Sequence, residues 1–281
     1  KPRAGVLPRL FLYDRIKVTY YCGGIMRLQK ILMFVLVMVL AGAVSAMALT
    51  AQEVLQKVED RYIGKTSKAN VQMDLIDKNG GVRERKLTIS RRKIDGSNKD
   101  NFIHFVAPPD IRNTTYLVNE KNRDKQKWIY LSAFKKTRKI VAEDYAMAFV
   151  SSDFTYEDMD DIRADDYVAS DLKEEKLGDK DVYSISVTKK DANTSYAKVV
   201  MKVCKSTFIV LRSEMYDKKA PDKMIKEMTA SNLEQIQEIW TPKEVVMKDL
   251  VKGTSTILKT AKIAYDLPLS DDEFSQRNME K

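Results

Sequence analysis

The chain has 281 residues, with 49 Lys and Arg against 40 Asp and Glu, a formal net charge of +9. Residues 1–48 hold seven of the bases and one acid, Asp14, so residues 49–281 carry 42 bases against 39 acids, too balanced for a nucleic-acid footprint. One histidine, His104, excludes chemistry that needs two imidazoles. Cys204 is the sole cysteine after residue 48, which excludes an intramolecular disulfide there.

Residues 26–48 read as a secretory signal peptide. Met26-Arg27-Leu28-Gln29-Lys30 is a short basic start, an apolar run occupies 31–44, and Ala46-Met47-Ala48 offers small residues at the cleavage positions. The apolar run is shorter than the roughly 20 residues that span a bilayer. An exported protein cut near Ala48 is therefore expected. Residues 1–25 read as an untranslated or non-native leader, since Gly23-Gly24 before Met26 fits a purine-rich ribosome-binding site translated as protein.

The segment 49–281 reads as one domain. Thr50-Ala51-Gln52-Glu53 is a capping box, and Val54, Leu55, Val58 and Tyr62 follow at helical spacing, predicting an amphipathic helix over 51–62 stopped by Gly64. The period then changes to two. Val71, Met73 and Leu75 alternate with Gln72, Asp74 and Ile76, and Asn79-Gly80-Gly81 predicts a hairpin turn into a strand through Leu87 and Ile89. Strands are predicted at 102–106, ended by Pro108-Pro109, at 116–118 and at 128–131. Tyr183, Ile185 and Val187 alternate with Ser184, Ser186 and Thr188, and Val199, Met201 and Val203 with Lys198, Val200 and Lys202. Segments 208–216, 244–251 and 254–265 complete the strands. Residues 145–161 lack period two and read as helix or loop. Ser270-Asp271-Asp272-Glu273 is a second capping box before Phe274. Together these make a mainly β, α+β architecture, an antiparallel sheet covered by few helices.

The catalytic inventory is poor, with no G-x-S-x-G, Walker loop, H-E-x-x-H or C-x-x-C. His104 reads as a hydrogen-bonded strand histidine, and Cys204 as a structural thiol facing away from Val199, Met201 and Val203. The acids Asp153, Glu157, Asp158, Asp160 and Asp161 lack the glycine and rhythm of an EF-hand and read as a helix start with Thr155 as cap. Lys135, Lys136, Arg138 and Lys139 read as a solvated turn, with docking to phosphate headgroups or an acidic partner as the other reading. Neither an enzyme, a metal nor a cofactor is expected. Trp128 and Tyr130, followed by Tyr145, Met147, Phe149, Val150, Phe154 and Tyr156, supply either a filled core or a pliable apolar cavity.

Three blocks in order, Phe105-Val106-Ala107-Pro108-Pro109-Asp110-Ile111-Arg112-Asn113-Thr114-Thr115-Tyr116-Leu117, then Trp128 through Ile140, then Phe149-Val150-Ser151-Ser152-Asp153-Phe154-Thr155-Tyr156-Glu157-Asp158, resemble the outer-membrane lipoprotein-sorting protein family, relatives of LolA. The closing Asp271-Asp272-Glu273-Phe274 is similar too. Asn113 and Ser151 stand where that family often has glycine, and Ser132 where it often has proline. The resemblance implies an unclosed antiparallel β-barrel, a half-barrel whose concave apolar face is plugged by helices and takes up acyl chains. It also implies a monomeric periplasmic carrier of lipoproteins or lipids, with an inner-membrane transporter of the resistance-nodulation-division (RND) class as a partner. The expected lipid-binding residues are Trp128, Tyr130, Tyr145, Met147, Phe149, Phe154 and Tyr156. A lipid-binding accessory or structural envelope protein, and an envelope hydrolase, are the alternatives.

Overall fold

The computed structural model describes residues 49–95 and 98–281. The leader and signal-peptide segments, 1–48, lie outside the described residues. Leu49–Lys281 form one compact unit, and no helix among the described residues is long and apolar enough to cross a membrane.

One α-helix and thirteen antiparallel strands make up that unit. Helix α1, Ala51–Asp60, starts on the predicted capping box: the Glu53 amide donates to Thr50 Oγ1 at 3.2 Å and the Thr50 amide to Glu53 Oε2 at 2.7 Å. It ends two residues earlier than predicted. Arg61 is already extended, donating to the Trp240 carbonyl, and Tyr62 is exposed with its hydroxyl on Asp266. Those two tethers draw the chain off the helix axis, so Tyr62 does not join the buried stripe.

The strands are β1 Thr66–Ile76, β2 Val82–Lys93, β3 Lys99–Ala107, β4 Thr115–Lys121, β5 Asp124–Leu131, β6 Lys136–Ile140, β7 Tyr167–Leu177, β8 Lys180–Lys189, β9 Tyr196–Cys204, β10 Val210–Asp217, β11 Met224–Ile236, β12 Ile239–Asp249 and β13 Thr254–Tyr265. They form one sheet in the order β6-β5-β4-β3-β2-β1-β13-β12-β11-β10-β9-β8-β7, unclosed because β6 and β7 are both free edges. Two meanders therefore meet where the first and last strands pair. Register shifts in the β1–β13, β2–β3, β7–β8, β9–β10 and β10–β11 pairings insert extra residues. Such bulges bend strands and strengthen their twist, which a sheet needs to curl into a trough.

Three strands were not predicted. Strand β6 contains most of the basic run assigned to a solvated turn; its charges sit on a free edge, where they oppose pairing with another sheet. Strands β7 and β11 are interrupted by residues of positive φ, Asp171 and Asn232, which break the alternation that would have announced them.

Side chains of alternate parity build two faces. On the inner face, Val71, Met73 and Leu75 of β1 join Leu87, Ile103, Phe105, Tyr116, Val118, Ile129, Met215 and Met247 in the main core. Helix α1 closes the β8–β9 end of that face, burying Ala51, Val54 and Leu55 against Ile185, Val187, Met201 and Val203. The outer face of β3–β5 is covered by a carboxy-terminal strap, whose Phe274 and Met279 pack on Phe102 and Leu117 with Trp128, Tyr130 and Leu269 around them. The strap's capping box does not form. Ser270 makes no side-chain cap, and Glu273 reaches the sheet instead, accepting from Lys68 at 2.8 Å and Ser90 at 2.5 Å.

Candidate functional site

Residues 141–166 connect the two free edges and lie over the inner face. Short 3-10 turns at Ala142–Asp144 and Phe149–Ser151 punctuate this segment, so the helix-or-loop expectation resolves to turns. Its centre is a narrow folded-back loop: the Phe149 amide donates to the Phe154 carbonyl at 2.7 Å, the Tyr156 amide to Met147 at 3.2 Å, and the Glu157 amide to Tyr145 at 3.0 Å. The tip is strained. Val150 and Ser151 have φ of +47° and +60°, costly for a β-branched residue above all. Ser151 and Asn113, whose φ is +66°, are the two positions where the lipoprotein-sorting pattern has glycine, so the backbone keeps the glycine geometry without the residue.

This loop delivers aromatic rings to the core. Phe149 is fully buried, edge-on to Tyr116 at 5.2 Å and to Tyr156 at 5.7 Å, and 6.2 Å from Phe105. Phe154 and Tyr156 are buried beside it, and Tyr145 and Val150 pack at the margin. Met147 is 49% exposed.

Trp128 and Tyr130 are elsewhere. They were expected on the concave face, but strand parity puts Ile129 there and turns both rings to the outer face, under the strap. The seven residues therefore split into five on the segment 141–166 and an outer pair.

The acidic cluster is not a helix start, and no group of three or more metal-ligating side chains occurs among the described residues. Thr155 and Asp158 exchange the two bonds of a capping pattern, but around a turn. The other contacts of these acids run to the sheet. Asp160 accepts from Lys127 Nζ at 2.8 Å and lies 3.3 Å from Lys125. Asp158 accepts from Lys226 at 3.2 Å and from the Tyr196 hydroxyl at 2.8 Å. Glu157 faces Lys189 at 3.4 Å and accepts from Thr194 and the Ser195 amide. Asp153 accepts from Thr254 and Thr256, and its carbonyl from Lys226 at 2.7 Å. Arg163 pairs with Glu120, both buried.

Lys127 is the extreme case. Its side chain is 0% exposed, with Nζ 3.8 Å from the centre of the Tyr145 ring. Burial pushes the ammonium below the ordinary lysine range, and Asp160 pulls the other way. Burial likewise drives the Tyr196 and Tyr116 hydroxyls well above the ordinary tyrosine range, keeping both neutral. Inspection of the sequence missed these lysines. The available signal was parity: Lys127 shares a face with Ile129, and Lys226 with Met228, where an alternating strand would otherwise be apolar.

His104 is half-buried on β3, with its ring 3.3 Å from Asn113 Oδ1. Cys204 is buried on the outer face with Val182, Ile209 and Leu211. Nearby, a groove of about 680 Å³ opens between the β7–β8 and β9–β10 turns and β11, lined by Leu177, Cys204, Leu211, Leu233 and Trp240. It is open to solvent among the described residues.

A family model described as an uncharacterized protein matches residues 97–281. No curated protein matches the chain. Among solved structures, an outer membrane lipoprotein-sorting protein domain from Vibrio parahaemolyticus is 25% identical, with a TM-score of 0.77 over 82% of this chain and 98% of that one. A DUF1329 family protein from Desulfovibrio piger is 27% identical, with a TM-score of 0.76 over 82% and 97%. A LolA superfamily protein from Nitrosomonas europaea, 19% identical with a TM-score of 0.65 over 82% and 100%, shares the fold.

Proposed function

From the chain's membership of the family matched over residues 97–281, whose fold is that of the outer membrane lipoprotein-sorting, LolA-like proteins, we propose that it is a periplasmic carrier. It holds acyl chains of lipoproteins or lipids against the inner face of its half-barrel for transfer between membranes. The observation that carries this reading is the lid. Phe149, Phe154 and Tyr156 fill an apolar trough from a loop that belongs to neither sheet half, as a detachable occupant would.

The energies are of the right order for exchange. Lifting three aromatic side chains off the face costs about 1.5–3 kcal/mol each, or ~5–9 kcal/mol together, while a sixteen-carbon chain gains ~12 kcal/mol before ordering costs. One chain is close to balance with the lid, and a second tips the exchange. No bond is made or broken in this role.

The test is titration of the purified protein with a fluorescent fatty acid, together with hydrogen exchange. Saturable binding accompanied by faster exchange in 145–161 is expected, because bound chains displace the lid. Absence of binding, or binding with this segment unchanged, would remove the lid from the function.

A further inference from the structure

The lid and the sheet are oppositely charged where they meet. Lys99, Arg123, Lys125, Lys127, Lys189 and Lys226 belong to the strands and their turns, and their partners Asp161, Asp165, Asp160, Glu157 and Asp158 all belong to the lid segment. Arg138 of β6 and Asp144 repeat the arrangement, and Arg163 with Glu120 alone reverses it. Lys127, Lys189 and Lys226 are 0%, 17% and 9% exposed at the side chain, so water does little for them. Lys125 and Lys189 also reach Lys127 with like charge. On the same inner face, the Tyr116 hydroxyl is buried with no hydrogen-bond partner among the described residues.

A cargo that lifts the lid takes the counterions away with it. Acyl chains fill the space left by the rings but leave the lysines unpaired in an apolar trough, where an unpaired charge is strongly disfavoured. Building on the carrier reading, we propose that the cargo is an anionic amphiphile, whose phosphate or carboxylate headgroup takes the place of Asp160, Asp158 and Glu157 on Lys127, Lys226 and Lys189, with the Tyr116 hydroxyl as a further donor. The lid's acids are then an internal copy of the headgroup. A zwitterionic lipid is a poor substitute, since its own ammonium enters among the lysines.

The experiment offers the protein mixed vesicles of dioleoyl phosphatidylglycerol and dioleoyl phosphatidylcholine in equal amounts and identifies the protein–lipid complexes by native mass spectrometry. A single mixed surface removes any bias from attraction of the protein to charged vesicles. The phosphatidylglycerol complex is expected in about tenfold excess or more. Excess inorganic phosphate, which has no chains to lift the lid, should leave that preference standing. The paired variants Lys127→Met with Asp160→Asn, and Lys226→Met with Asp158→Asn, replace each ion pair by a neutral one. They should still load lipid while the preference falls toward equality. Equal loading of the two lipids by the unmodified protein, or a preference abolished by inorganic phosphate, would overturn the inference and leave the carrier reading intact. No loading of either lipid would overturn both.

Discussion

Exchanging Asp160 for Asn isolates the most deeply placed sheet cation that faces the segment 141–166. Lys127 keeps its geometry but loses the carboxylate 2.8 Å away, at a side chain with no solvent exposure. Breaking a buried pair from one side costs about 3–5 kcal/mol. A ceiling exists, because the ammonium can shed its proton instead; for an ordinary lysine at pH 7 that costs about 4.6 kcal/mol. A loss of about 3–4 kcal/mol is therefore expected at neutral pH. Its pH dependence has a definite sign. Without Asp160, the folded-state pKa of Lys127 lies below its unfolded value, so the unfolded chain binds more protons and stability rises with pH. The gap to the unmodified protein should shrink from pH 7 to pH 10. Lys127→Met costs less, about 1–2 kcal/mol, because Asp160 keeps Lys125 at 3.3 Å. The double variant should return to within about 1 kcal/mol of the starting protein, a coupling of about 3 kcal/mol or more. Urea unfolding followed by circular dichroism measures all four proteins. Additive losses below about 1 kcal/mol each, flat with pH, would mean that Lys127 is solvated and that the lid is not latched by charge.

Phe149→Ala should lose about 3–5 kcal/mol in urea melts, since four aromatic rings meet there, whereas Met147→Ala should change stability by less than about 0.5 kcal/mol; equal effects would refute the burial difference within the lid. Phe274→Ala should loosen the strap at a cost of about 3 kcal/mol and shift Trp128 emission to the red, and an unchanged spectrum would separate Trp128 from the strap. Acid should release the same strap late. Bonds from Lys281 and Arg277 hold the Asp272 carboxyl down to about 2, so its contribution is complete above the ordinary aspartate range and fades only as pH falls through that value. Burial works to raise Glu273, yet Lys68 and Ser90 keep it below the ordinary range, and the same sign applies. Strap release near pH 4, read from Trp128 fluorescence, would contradict both assignments.

The sheet was legible wherever one face is wet and the other dry. Tyr183 through Thr188 and Val71 through Leu75 alternate apolar with polar residues, and both became strands, although Ser184 and Asp74 on the polar parity are buried. Legibility failed where strand chemistry answers to something other than a core. Strand β6 is basic because it is an edge, and β7 and β11 carry a kinking residue each. At the candidate site, aromatic density picked out Tyr145 to Tyr156, which share one loop, but Trp128 and Tyr130 belong to an outer core built by residues more than a hundred positions later, which local pattern does not see. The acids of 153–161 were misread for the same reason. Their partners Lys127, Lys189 and Lys226 sit on three different strands, brought together by a curl that no window of sequence contains.

Residues 141–166 are anchored at both banks, by β6 on one side and β7 on the other. Such a span cannot swing from a single hinge like a door. It can only arch, and an arch of fixed length rises when its footings draw together. On the carrier proposal, loading would be tied to the width of the trough: a cargo that raised the span would pull the two edge strands inward, and anything holding those edges apart would keep the span flat. A transporter or membrane that grips one edge would then govern uptake and release from outside, without touching the apolar face.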